Sequence, residues 1–459
     1  IFVKFKNNPG DENMEQQHMF TNRMIRNLLV PVVLEQILNS IMGTADTMMV
    51  SNVGSAALSA VSLVDSINIL LIQAFSALAA GGAIVCAQYI GQKNYKKANM
   101  SARQVLFIIT AISVAVSAVC LIFQKPLLRL IFGSVEADVM RASETYFFFT
   151  ALSFPFIASY DAAASIFRAQ ENTKGPMIIS MISNVMNIGG NAVLIWVFHM
   201  GVAGAAISTL VSRVFCAVVV LYQLRKDRQP IVVKDYLKIR PDWSMIGRIL
   251  GLGIPSGIEN SMFQLGKLAI QSTVSTLGTA AIAAQAMTNI LENLNGIAAI
   301  GVGVGLMTIV GQCLGAGRKD EAVYYIKKLC VIAEIVIIVS CLTVYALARP
   351  VTILGGMEKS SAAMCIHMIT WITIVKPLVW TMAFVPGYGL RAAGDVKFSM
   401  ITSCCTMWAC RFCLCIFLIR VLGFGPMGVW IGMFADWTVR GILFTWRFHS
   451  RRWLKHKVI

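Results

Sequence analysis

The stretch PVVLEQILNSIMGTADTMMV, residues 31–50, is apolar enough to lie in a membrane, yet it holds two carboxylates, Glu35 and Asp46. A charged side chain at the bilayer centre costs roughly 2.5 to 3.5 kcal/mol on insertion scales. The two acids are separated by about three helical turns, or roughly 16 Å, and so share one face. Asn39 falls on the same stripe, with Gly43 near it. Facing lipid, that stripe would be prohibitive, so it has to look into a helix bundle or a wet cleft.

The rest of the chain is of the same kind. Of 459 residues, 57% are hydrophobic and 13% charged, with a mean hydropathy of +0.71. That is too little charge to cover a soluble protein of this length. Apolar runs at 67–86, 105–123, 177–198, 203–224, 330–347 and 413–421 with its flanks read as membrane spans or parts of them. The fold class is an all-α polytopic membrane protein.

The net charge of +17 invites a nucleic-acid reading, but its placement argues against one. Basic residues gather in short segments between spans: Arg23 and Arg26; Lys93, Lys96, Lys97 and Arg103; Arg168 and Lys174; 225–240; Arg318 and Lys319; Arg391 and Lys397; and the tail SRRWLKHKV. The alternate loops SNVGSA, FHMGVAG and STLGTA carry none. This alternation is the positive-inside rule, which predicts a plasma (inner) membrane protein with both termini in the cytoplasm. Lys125, Arg129 and Arg141, with Arg349 and Lys359, fall on the other side and blur the pattern.

Five of twelve cysteines, Cys404, Cys405, Cys410, Cys413 and Cys415, lie in one helical run. Soft packing residues are the expectation there, and a metal site is the alternative. The polar start IFVKFKNNPGDENMEQQ is left out of the fold reasoning.

Sliding the chain against itself by 224 residues lays Pro31 on Pro255 and runs without a gap to Ala98 on Ala322. Glu35 meets Glu259, VGSAALSA meets LGTAAIAA, and QYIGQ meets QCLGA; further on, FRAQENTKGPM matches LRAAGDVKFSM. Each half then holds six spans, expected at 24–50, 57–86, 100–123, 140–162, 176–198 and 203–224, and at 246–274, 280–310, 324–347, 362–388, 397–420 and 427–448. Residues 1–23 form a lead-in, 24–224 and 246–448 the two lobes, 225–245 the linker and 449–459 a basic tail. An even number of spans per half makes the lobes parallel repeats about an axis along the membrane normal, with a central cleft suited to alternating access.

Other polar groups sit where lipid would exclude them. Asn184, Asn187 and Asn191 share a face of the fifth span, Asp65 and Asn68 belong to the second, and Gln285, Asn289 and Glu292 line one face of the eighth. Lys267, Lys376 and Arg411 offer counter-charges in the second half. A carboxylate among amides suits a proton or a hard monovalent cation such as Na+, and held out of water it can exchange protons near neutral pH. Structural readings stand beside these. Glu35 and Glu259 follow prolines taken to open their helices, which would make them end-stabilising or gate residues, and the asparagines could be helix–helix glue. The run GVGVG at 301–305 lies mid-span with no strand before it, so close helix packing is its expected role.

Taken in order and spacing, MGTADTMMV, VGSAALSAVSL, GQKNYKKA, FRAQENTKGPM, NIGGNAVLI with GVAGAAIST, and the second-half copies GIPSGIE, LGTAAIAAQAM, GQCLGAGRKDEA and LRAAGDVKF resemble the multidrug and toxic compound extrusion (MATE) family over nearly the whole chain. The resemblance implies twelve helices in two six-helix lobes, rocker-switch exchange, and efflux of amphipathic, often cationic compounds against H+ or Na+ entry, with no cofactor. It implies a cation-coupling role for Asp46 and for Asn187, with Asn191 standing where one branch has an aspartate. Phe263, beside Gln264, and Trp380 stand where the family places second-lobe acids, which argues against a cation site there unless Glu259 or Glu292 substitutes.

The expected function is therefore a secondary transporter, a monomer in the lipid bilayer acting on small amphipathic organic substrates. The alternative is a lipid-linked saccharide flippase of a related fold, kept open by Lys267, Lys376 and Arg411; a channel or receptor fits the paired halves less well. No nucleophile–base set suggests an enzyme.

Overall fold

Two polar caps decide where the halves begin. In this computed structural model, which describes residues 18–133, 136–226, 229–234, 236 and 240–459, Thr21 caps the first helix by accepting from the Met24 amide at 3.3 Å. Asp242 caps the seventh through the Ser244 and Met245 amides. Such caps satisfy donors that a helix leaves open. Pro31 and Pro255 consequently lie inside their helices. The expectation that they open them is corrected: each removes one backbone hydrogen bond from a continuous span and marks a place to bend. Residues 1–17 of the expected lead-in, and residues 227–228, 235 and 237–239 of the expected linker, lie outside the described residues.

Among the described residues every regular element is helical. The first three spans are Asn22–Ser51, Ser55–Gly91 and Tyr95–Ile122, followed by a short helix Gln124–Phe132. The fourth consists of Ala137–Leu152 and Phe154–Ala169, the fifth of Lys174–Asn191 continued by π turns Ala192–Val197, and the sixth of Gly201–Leu224. In the second half follow Trp243–Val274, Thr279–Gly315, Lys319–Leu354 and Lys359–Ala392. The eleventh joins Val396–Thr406, π turns Met407–Cys413 and Leu414–Arg420, and the twelfth is Met427–His449. Nine of the described helices are individually long and apolar enough to cross a membrane, and the bent fourth makes a tenth. The seventh and twelfth carry ionisable residues mid-helix, and the twelve spans together match the expected architecture.

The fourth span differs from the single segment expected at 140–162. Its two helices meet at 42°, where Pro155 at the start of the second cannot donate to the preceding turn. The cysteine cluster also spreads out: Cys415 is buried while Cys405 and Cys413 are exposed, so these thiols point to different sides of the eleventh span and do not gather.

Two hydrophobic cores form, one from each half, and they exchange one element. Ile25, Leu28 and Leu29 of the first span pack in the second core, while Ile249 and Leu252 of the seventh pack in the first. Ile25 is the repeat equivalent of Ile249, and Leu28 of Leu252, so the exchange is reciprocal. The glycines show the same two-fold relation. A Cβ on Gly91 would lie 2.1 Å from the Gln312 carbonyl oxygen, and one on Gly315 would lie 2.0 Å from that of Gln88. Gln88 donates to the Ala392 carbonyl at 2.8 Å and Gln312 to that of Ala169 at 2.9 Å. The GVGVG run packs as expected, Gly301 against Val33 and Gly305 against Leu28 and Leu29.

These contacts pin the halves together toward the end that carries the basic loops. Nearer the neutral loops, Gly43 and Gly189 meet nothing within 4 Å. Asn39 and Lys267 are solvent-exposed within their spans, where lipid would not tolerate them. The cleft between the halves therefore opens toward the neutral loops.

Candidate functional site

The first span presents its polar stripe to the fifth, as its spacing demands. Near the middle, Asn39 Oδ1 accepts from Ser180 at 2.8 Å and from Asn184 at 3.2 Å. About two turns on, Asn191 Nδ2 donates to Asp46 Oδ1 at 2.7 Å and to Asn187 Oδ1 at 3.2 Å. Turned about its own amide, Asn187 gives up the bond from Asn191 and instead donates to Asp46 Oδ1 at 2.7 Å while its oxygen accepts from the Thr209 hydroxyl and amide. The asparagine triplet thus divides, Asn184 serving as glue to Asn39 while Asn187 and Asn191 hold Asp46. Asn191 is the last residue before the π turns of the fifth span, a local widening of the helix common at functional sites.

Asp65 joins this group. Asn68 donates to its Oδ1 at 3.1 Å and Tyr146 at 3.3 Å, and Asp46 and Asp65 lie within electrostatic reach of each other. Two ionisable residues that the sequence reading passed over belong here as well. Arg213 of the sixth span lies within reach of Asp46, Asp65 and Asp161, and donates to Ser153 Oγ at 2.7 Å. Asp161 of the fourth faces Arg168, Glu35 and Arg213. The signal for both was available, since each is a lone ionisable residue in an otherwise apolar run.

Glu35 borders that group at Asp161, and Glu259 lies in the other half. Glu35 accepts from Tyr160 at 3.1 Å and lies 3.5 Å from Arg168; Glu259 is bound by Arg391 at 2.6 Å. Arg168 and Arg391 are themselves equivalent in the repeated FRAQ and LRAA motifs, so one ion pair occurs twice about the axis. Glu259 is therefore occupied by a cation of the chain.

The polar stripe of the eighth span does not form one site, contrary to its spacing. Gln285 donates to Asn289 at 3.4 Å and accepts from Trp430 at 3.1 Å, whereas Glu292 is bound to buried Lys376 at 2.6 Å. Helical periodicity put these residues on one face, but the tenth and twelfth spans supply different partners along it. Lys376 is thus a counter-ion, while Arg411 donates to the Met407 sulfur, at 3.7 Å, and lies over the Phe263 ring. Asp436 and Arg440, also passed over in the sequence, pair at 3.1 Å.

The comparisons with known proteins fit this two-fold arrangement. The MatE family model matches the chain twice, over residues 31–193 and 255–417, two copies offset by the same 224 residues as the internal repeat. The chain belongs to the MATE family. It is similar to the uncharacterized transporter YisQ of Bacillus subtilis, 27% identical over 93% of both chains. It is also similar to a probable multidrug resistance protein, NorM, of Thermotoga maritima, 25% identical over 94% of this chain and 93% of that one. A solved MATE family multidrug resistance transporter in an outward-facing conformation shares its fold, with a TM-score of 0.87 at 18% identity over 93% of this chain and 95% of that one. This MATE protein is accordingly a multi-pass membrane transporter.

Proposed function

We propose that the chain exports amphipathic organic compounds in exchange for H+ or Na+ by alternating access, with Asp46 as the coupling residue. The observation that carries this is the asymmetry at Asp46. Two amides, Asn187 and Asn191, hold its carboxylate beside Asp65, whereas its repeat equivalent is the buried apolar Ile270. A half-buried carboxylate held by amide N–H donors beside a second acid suits a proton or a monovalent cation; Asn68, through Asp65, completes the group.

In this reading the lobes 24–224 and 246–448 rock about the glycine contacts at the basic end, joined by the linker 225–245. Pro31 lets the first span bend as Asp46 changes charge, and the pairs Glu35–Arg168 and Glu259–Arg391, each within one lobe, brace the two lobes internally as they rock. Both termini are cytoplasmic, and one chain supplies both walls of the cleft, so a monomer suffices. In proteoliposomes given separate H+ and Na+ gradients and fluorescent amphipathic dyes of either charge, the wild type accumulates a dye under one gradient and Asp46→Asn does not. Undiminished accumulation by Asp46→Asn removes the proposal.

A further inference from the structure

Four cationic side chains converge inside the second half, each from a different span: Lys267 from the seventh, Lys376 from the tenth, Arg411 from the eleventh and Arg440 from the twelfth. Two are answered by carboxylates, Lys376 by Glu292 at 2.6 Å and Arg440 by Asp436 at 3.1 Å. The other two are not. Arg411 is 3% exposed and its one hydrogen bond runs to the Met407 sulfur; Lys267 has no hydrogen bond among the described residues. Both lie over the same Phe263 ring, at 5.0 and 5.1 Å, and Arg440 is 5.7 Å from it. Lys267 and Arg411 are also within reach of each other's charge.

Buried Arg411 has lost its hydration without gaining a counter-ion, and a ring face offsets that cost only in part. Two positive charges are left in excess, because the acids within their reach, Glu292 and Asp436, are bound by Lys376 and Arg440. Further donors are open in this half: the buried Trp408 and Trp437 indole nitrogens meet no acceptor, and Lys376 sits 5.9 Å from the Trp437 ring. Exposed Lys267 links the group to the cleft. The first half has the opposite sign, with Asp46, Asp65 and Asp161 around Arg213.

We propose that Lys267 and Arg411 bind the acidic group of the transported compound, a carboxylate, sulfonate or phosphate, while the stacked Trp380 and Phe384 beside Lys376 and Arg440 take its apolar part. The coupling cation and the substrate then occupy halves of opposite charge. This deepens the export reading above and rests on it for the direction of transport, and it replaces the expected cationic substrate with an acidic one.

The test uses the full chain in phosphatidylcholine nanodiscs with no ion gradient, and equilibrium dialysis of two matched probes, 2-naphthylacetate and 2-naphthylmethylammonium. The acid binds at least tenfold tighter than the amine. Arg411→Gln weakens acid binding tenfold or more, Lys267→Gln weakens it severalfold, and Arg411→Lys retains part of it. Should Arg411→Gln not fold, Lys267→Gln, at an exposed position, carries the test. Equal or tighter binding of the amine, or acid binding unchanged in the folded variants, overturns the proposal. Replacing part of the lipid with phosphatidylglycerol separates two sources of the acid: displacement of the probe assigns an anionic lipid, and no displacement assigns a soluble compound. Because no gradient is present, acid binding that persists without any gradient-driven transport supports this site and counts only against the coupling reading.

Discussion

Glu35 and Glu259 sit at one repeat position and are each met by an arginine that the repeat also makes equivalent, Arg168 and Arg391. The two pairs differ in length, 3.5 Å against 2.6 Å, and Glu35 has Tyr160 as a second donor. Removing one partner of a buried pair strands the other; with the arginines partly exposed, the cost falls to about 1–3 kcal/mol. Arg391→Ala is expected to lower unfolding stability more than Arg168→Ala, and Glu259→Gln combined with Arg391→Gln to recover part of the loss, as read by thermal unfolding of the solubilised protein. Equal effects of the two arginine variants would contradict the ranking. The equivalence of the two glutamates could be read directly from the sequence. Their partners could not, because the same motif match gives no distance, and Asp161 and Arg213 stand singly in apolar runs with no polar stripe to mark their face.

Helical periodicity served well for the existence and order of the spans and poorly for their interior geometry. The bend in the fourth span had a visible sign in Pro155, but the π turns at Ala192–Val197 and Met407–Cys413 have neither proline nor glycine. The span ends also run past the apolar runs, since polar residues such as those of QYIGQ continue the second helix to Gly91. Contact between the halves depends on such ends. Gly91→Ala places a methyl 2.1 Å from a backbone oxygen, which a rigid carbonyl cannot accommodate. That variant is expected to part the halves at the basic end, lengthening the distance between spin labels on Lys96→Cys and Lys319→Cys. Gly43→Ala, with open space around it, should leave that distance unchanged while gaining up to about 1 kcal/mol of helix propensity. An unchanged distance in Gly91→Ala would show that the glycine contact does not hold the basic end closed.

At the scale of the molecule, the 224-residue offset was enough to predict parallel halves around an axis. What it could not reveal is the exchange of Ile25 and Leu28 for Ile249 and Leu252 between cores, because a repeat states which residues are equivalent and not which copy they pack against. Nor does a repeat say where the halves part company. The scaffold, ion pairs and glycine contacts obey the two-fold relation, whereas Asp46 opposite Ile270, and an acidic first half opposite a basic second half, break it. Function is assigned to the places where symmetry fails. The direct test is coupled flux in proteoliposomes with no imposed ion gradient, in which a gradient of the transported dye or of 2-naphthylacetate is the sole driving force and H+ and Na+ are followed separately. The account predicts that one cation moves opposite to the organic compound in the wild type and that Asp46→Asn abolishes this counter-movement. Movement of the compound without any cation flux, or full cation flux in Asp46→Asn, would contradict it.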